Sequence, residues 1–187
     1  MATLVFDIET TALPLENFDE AQQEYLFRET EKIDDAIAKQ AKREEITRFM
    51  SLWPFTSQVV CIAMLNAETQ RGQVLFIAED FEDAAPDGPV EFVPCADEAE
   101  LLTAFWDVAK HYDEIVTFNG RGFDVPFLYL RSAQLNVPIS KKNWLGYRYA
   151  VEPHCDLAEQ LTFYGVSGRD CAARPASSVI FCVSRKR

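Results

Sequence analysis

The chain opens directly on a strand. Thr3 to Ile8 is a short apolar, β-branched run, and Asp7 and Glu9 stand at its far end. A run of this kind reads as a central strand, so the residues that follow must supply its neighbours. Residues 16–50 come next, strongly charged, free of Pro and Gly, with Leu26, Ile33 and Ile37 at helical spacing. They predict one or two amphipathic helices inserted after the first strand. Pro54 ends that stretch. Gln58 to Leu65 and Gln73 to Ala78 are β-rich, and the turn at Arg71-Gly72 between them predicts a hairpin. Residues 84–94, with three Pro and one Gly, predict a loop.

The second half alternates helix and strand. Asp97 to Tyr112 starts with an acidic turn and carries Leu101, Leu102, Phe105 and Trp106 on one face, which predicts a helix. Glu114 to Phe118 predicts a strand ended by Asn119-Gly120, and a helix begins near Asp124. Such alternation after a hairpin points to a mixed α/β sheet.

Composition narrows the function classes. The 187 residues include 18 basic and 30 acidic ones, a net charge of −12. A broad basic surface wrapped by nucleic acid is excluded; a local patch serving a strand end is not. The longest uncharged stretch, residues 49–67, contains Pro54, Gln58 and Asn66 around a short apolar centre, and predicts a buried strand, not a membrane span. The first residues lack a basic leader and are not expected to be a signal peptide. Five Cys, an odd number without a C-x-x-C pair, predict a reduced cytoplasmic protein with no membrane attachment. Residues 171–187 contain four basic residues and no acid. That break reads as a basic tail with a strand at 179–183, or equally as sequence from a wrong frame or an artificial junction.

Two segments could carry chemistry. Asp7 and Glu9 are i and i+2 on one strand, so both carboxylates point to the same face. They form either a solvated strand end or a site for a hard divalent cation between them. The second segment is Asn119-Gly120-Arg121-Gly122-Phe123-Asp124-Val125-Pro126. Here Asp124 is either a helix N-cap or a third carboxylate presented at the sheet edge. Residues 119–150 hold Arg121, Arg131, Lys141, Lys142 and Arg148 against Asp124 alone, a locally basic neighbourhood suited to phosphate. His154-Cys155-Asp156 has too few potential ligands for zinc. Asp156 reads as a strand-end residue supporting the site, the alternative being a further carboxylate ligand beside the other three.

In this order and spacing, Phe6-Asp7-Ile8-Glu9-Thr10 and Asn119-Gly-x-x-Phe123-Asp124-x-Pro-x-Leu128 resemble the first two motifs of the DEDD 3′–5′ exonuclease superfamily. The resemblance is strongest to predicted exonucleases related to the proofreading domain of family-B DNA polymerases. Ser51-Leu52-Trp53-Pro54 and His154-Cys155-Asp156-Leu157 also resemble segments of that subfamily. The resemblance implies a ribonuclease H-like α/β fold, a mixed sheet with flanking helices, over residues 1–170, with 16–50 as a helical insertion. The C-terminal part of the fold is expected to be incomplete, with residues 171–187 an aberrant basic tail.

It also implies two Mg²⁺ or Mn²⁺ ions held by Asp7, Glu9 and Asp124, the catalytic carboxylates, and a substrate with a single-stranded 3′ end, DNA or RNA. Thr10, Asn119 and Phe123 match positions that line the terminal nucleotide. The family's third motif, Tyr-x-x-x-Asp or His-x-x-x-Asp, is absent: no Tyr or His here has Asp four residues on. Impaired phosphodiester hydrolysis is therefore expected, the alternative being a non-catalytic nucleic-acid-binding or interaction module. Only seven Gly and no P-loop speak against an ATP-handling relative.

Overall fold

The computed structural model describes residues 2–81 and 88–166. Strands β1 (Thr3–Ala12), β2 (Ser57–Asn66), β3 (Gly72–Ile77), β4 (Val90–Cys95), β5 (Glu114–Thr117) and β6 (His154–Asp156) form one mixed sheet in the order β4-β3-β2-β1-β5-β6. β2 runs antiparallel to both β1 and β3, β4 joins β3 in parallel, and β5 and β6 continue parallel to β1. Among the described residues five α-helices accompany them: α1 (Glu20–Phe27), α2 (Ala36–Phe49), α3 (Glu98–Ala109), α4 (Asp124–Gln134) and α5 (Leu157–Leu161). This is a ribonuclease H-like α/β arrangement with β1 as an interior strand.

Strand alternation divides β1 cleanly. Leu4, Phe6 and Ile8 are buried while Asp7 and Glu9, on the opposite face, are exposed. The buried face joins Ile62 and Met64 of β2 and Leu75 of β3 in a core completed by α3 and α4. α3 forms where its pattern predicts. Asp97 caps it by accepting the Glu100 N–H, and Leu101, Leu102, Phe105, Trp106 and Ala109 face inward. Phe6 meets Phe105 edge-on at 5.3 Å and Trp144 at 5.7 Å. Pairs of this geometry add about 0.5–1.5 kcal/mol each beyond their burial.

A buried ion pair crosses the core. Arg131 of α4 grips Glu98 of α3 through Nε–Oε1 at 2.9 Å and Nη2–Oε2 at 2.5 Å. Glu98 also accepts the Val59 N–H at 2.8 Å, and Arg131 Nη1 donates to the Pro54 carbonyl at 3.0 Å. One pair of side chains thus ties together α3, α4, β2 and the chain corner ahead of β2.

Two expectations change. Residues 84–94 are not all loop, because Val90–Cys95 forms β4, with Pro94 opposite Phe76. β4 is an edge strand, the place in a sheet where a proline's missing N–H is tolerated. The insertion does hold two helices, but Leu26, Ile33 and Ile37 make no common face. Ile33 lies in the link between α1 and α2, and Ile37 is 81% exposed. The insertion buries Phe27, Thr30 and Met50 instead. Residues 171–187, the strand expected at 179–183 and the expected incompleteness of the C-terminal part lie outside the described residues. No described helix is long and apolar enough to cross a membrane.

Candidate active site

β1 outruns β5. Their pairing stops at Val5, whereas β1 continues to Ala12 against β2. Beyond Val5 the β1 edge lacks a strand partner and faces the segment that leads from β5 into α4. The connections after β1 and β5 diverge here, toward β2 on one side and β6 on the other. Crevices of this kind, at the carboxyl ends of parallel strands, are where α/β sheets bind ligands.

Asp124 fills the crevice. Its Oδ1 accepts the Ile8 N–H at 3.3 Å, a link between residues 116 apart in sequence. It is the first residue of α4 and not its N-cap; Phe123 holds the cap position without a side-chain cap bond. The carboxyl group is therefore held beside the backbone between Asp7 and Glu9, and Asp124 is only 2% exposed. Burial, then the charge of Asp7, push its pKa up to about 7, and Asp156 adds to the shift.

Asp7 and Glu9 share their face with Cys61, which lies opposite Glu9 in the β1–β2 register. Burial, then Glu9 and Asp7, push that thiol up from its ordinary value. The register slips between Glu9 and Thr10, leaving Val60 without a β1 partner. Bulges of this type recur beside functional sites because they re-aim side chains.

All three carboxylates are hard oxygen donors, and their mutual repulsion is what a divalent cation relieves. The donor chemistry therefore fits Mg²⁺ or Mn²⁺. The geometry is not closed, however: among the described residues no three His, Cys, Asp or Glu side chains are grouped to hold a metal ion. The structure brings Asp124 to β1 beside Asp7 without gathering all three around one point.

The three residues expected to line a nucleotide fare differently. Thr10 Oγ1 donates to the Ser51 carbonyl at 2.7 Å and so latches the chain corner before β2. Asn119 adopts a left-handed backbone, φ 62°, which Asn tolerates better than most residues. It turns β5 toward α4, and its carbonyl accepts the Gly122 and Phe123 N–H groups. Phe123 is half-buried against Phe127, ring centroids 5.3 Å apart.

Asp156 organises this turn. Its Oδ1 accepts the Asn119 and Ala158 N–H groups at 2.9 and 3.0 Å, and Oδ2 accepts the Arg121 N–H at 3.0 Å. It also caps α5 through Glu159 N–H. This carboxylate is thus built into the turn that carries Asp124. His154 is equally occupied. Its Nδ1 faces the Trp144 carbonyl at 3.1 Å, so that nitrogen carries the proton and Nε2 accepts from Thr117 Oγ1 at 2.7 Å. Burial, then Arg121, hold its pKa down to about 4, leaving a neutral ring with no nitrogen free for zinc.

The basic neighbourhood is mostly structural. Arg121 donates to the carbonyls of Gly146, Ala150 and His154 and pairs with Glu159. Arg131 is spent on Glu98, Lys141 on Asp113, and Arg148 on Glu159. Among the described residues only Lys142 of the five has no ion pair. Charge counting over residues 119–150 overstated what phosphate would meet.

Parts of this chain are similar to known proteins. Residues 104 in number align at 28% identity with a protein named DNA polymerase 1 from Sulfurisphaera ohwakuensis, over 53% of this chain and 12% of that protein. A second DNA polymerase 1, from Saccharolobus solfataricus, is 35% identical over 65 residues, 32% of this chain and 7% of its own length. The chain thus spans only a small fraction of these polymerases. A family of predicted 3′–5′ exonucleases related to the exonuclease domain of PolB matches residues 55–174. That stretch takes in Asn119, Phe123, Asp124 and Asp156 and begins after Asp7 and Glu9. With well over half its length matched, the chain belongs to the family of predicted 3′–5′ exonucleases related to the PolB exonuclease domain.

Proposed function

We propose that residues 1–170 form a divalent-metal-dependent nuclease domain that removes nucleotides from single-stranded 3′ ends of DNA or RNA. The observation that carries this reading is the Asp124 carboxylate bonded to the β1 backbone between Asp7 and Glu9. Asp7, Glu9 and Asp124 are the residues that would hold Mg²⁺ or Mn²⁺. The chemistry such ions supply is acidification of the attacking water and charge neutralisation at the phosphate and departing oxygen. A cation held there would favour the ionised form of Asp124, because positive charge would offset the repulsion from Asp7. Thr10, Asn119 and Phe123 line the terminal nucleotide, with Phe123 offering a ring face to a base. The odd number of cysteines, without a C-x-x-C pair, suits a reducing cytoplasm.

Turnover is slow. The sequence contains no Tyr-x-x-x-Asp or His-x-x-x-Asp, and Asp156 is spent on backbone N–H groups. A fourth anion and a group to orient the water are both wanting, and an acid–base partner typically contributes 10²–10⁴-fold. Digestion of end-labelled single strands of DNA and RNA with Mg²⁺, Mn²⁺ or EDTA tests this. Slow, metal-dependent release from the 3′ end, abolished by EDTA and by Asp7→Asn, is the expected outcome. A second reading is a binding module without chemistry, which the lack of a Tyr-x-x-x-Asp or His-x-x-x-Asp in this sequence leaves open. An unchanged ladder under every condition, with the strand still bound, would select that second reading.

A further inference from the structure

The corner of chain after α2 displays side chains that a fold ordinarily hides. Phe49, Leu52, Trp53 and Phe55 are 51%, 46%, 58% and 62% exposed. The backbone beneath them is fixed from several sides. Thr10 Oγ1 donates to the Ser51 carbonyl, Thr56 Oγ1 to the Met50 carbonyl at 2.7 Å, and Ser57 Oγ to the Trp53 carbonyl at 2.5 Å. Arg131 reaches from α4 to the Pro54 carbonyl. A rigid corner that keeps four large apolar groups in water, beside the strand bearing Asp7 and Glu9, has the character of a binding surface.

Charge says what would bind. The lysines of the insertion are paired: Lys32 with Glu29, Lys39 with Glu31, Lys42 with Glu45. Arg43 and Arg48 form no ion pair among the described residues, although the charge of Arg43 is felt by Glu31; Arg43 lies over the Phe27 ring at 4.0 Å. Both line a groove of about 540 Å³ together with Leu15, Gln40, Glu44 and Thr47. The helix bearing that groove runs straight into the apolar corner. In a chain of net charge −12, two arginines outside any ion pair, on the helix that leads into the exposed rings, suit a ligand that is both polyanionic and flat-faced. An unpaired nucleic-acid strand has both properties, whereas a duplex hides its base faces.

We infer that the α2 groove and the corner at residues 49–55 form a platform for a single strand, with Arg43 and Arg48 on its phosphates and Trp53 and Phe55 against its bases. That this strand leads to Asp7, Glu9 and Asp124 rests on the nuclease reading above; the platform itself does not.

Fluorescence tests it directly. Trp106 and Trp144 are buried at 2% and 1% exposure, so a quencher in solution reports Trp53. Titrating the whole chain in EDTA with a thymidine oligonucleotide of about twelve residues, within known single-strand site sizes, should quench that emission. The matching duplex should not. Trp53→Ala and Phe55→Ala, followed by anisotropy of a labelled strand, should each weaken binding by about 5- to 150-fold, the range for one stacked base. Arg43→Gln with Arg48→Gln should flatten the salt dependence by about 1.4 in log–log slope, about 0.7 for each lost phosphate contact.

No quenching of the parent chain, or unchanged affinity in both aromatic variants, would overturn the proposal. So would a mass that doubles with concentration and reverts in Trp53→Ala, which assigns the patch to a second copy. Binding in EDTA involves no hydrolysis, so a failed digestion leaves this result standing, and the reverse.

Discussion

Asp124→Asn makes the chain more stable, not less, at pH 8 in EDTA. The Asp124 carboxyl titrates near 7 in the folded chain against an ordinary value of 3.8. The folded state therefore keeps its proton between about pH 4 and 7, where the unfolded chain has already released it. The Asp124 contribution to stability is most favourable below that window and falls as pH rises through it. Above pH 7 the full penalty remains, on the order of 4 kcal/mol at 1.36 kcal/mol per unit. Asparagine carries no charge and can still accept the Ile8 N–H, so the penalty disappears.

His154 works in the opposite sense. Its pKa is held down to about 4, so it contributes stability that is lost as pH falls from about 6.5 toward 4. The two slopes oppose each other in the parent chain across that range. In Asp124→Asn only the His154 slope remains, and acid should weaken the variant more steeply. Urea unfolding between pH 4.5 and 8.5, followed by tryptophan emission, reads both effects. A variant less stable than its parent at pH 8 would mean that Asp124 is not a strained carboxylate.

Glu98→Ala is the most destructive single change expected. It leaves Arg131 charged and buried, its side chain only 9% exposed, and removes the acceptor of the Val59 N–H. Breaking a buried pair from one side typically costs 3–5 kcal/mol, a large share of what a domain of this size possesses. Removing both members together, Glu98→Met with Arg131→Met, should cost less than the single change, because no buried charge is stranded. The same urea series measures this; a loss below about 1 kcal/mol in Glu98→Ala would show that water reaches Arg131.

Local pattern made much of this molecule legible. The alternation of Leu4, Phe6 and Ile8 with Asp7 and Glu9 identified β1 and both of its faces. The Asp97 cap and the apolar stripe of α3 are local signals of the same kind. What local pattern lacks is register and partner. β4 was hidden because a proline reads as loop until its edge position is known. The basic stretch around Arg121 looked available because Glu98, Asp113 and Glu159 lie far away in sequence. Asp124 could be singled out from its motif, but the Ile8 N–H that holds it depends on β1 outrunning β5. The exposed corner at residues 49–55 could not be told from core, because hydrophobic residues in sequence carry no label of burial.

Manganese binding at pH 8, where Asp124 is ionised, tests the metal centre most directly. Titration calorimetry on the 187-residue chain should show weak binding of Mn²⁺, with Asp7→Asn and Asp124→Asn each removing it. Exposed acids such as Glu20 lie outside the proposed ligand set, so Glu20→Gln should bind as the parent does. Equal binding by the parent chain, Asp7→Asn and Asp124→Asn, or no binding by the parent, would contradict a metal centre built on these carboxylates.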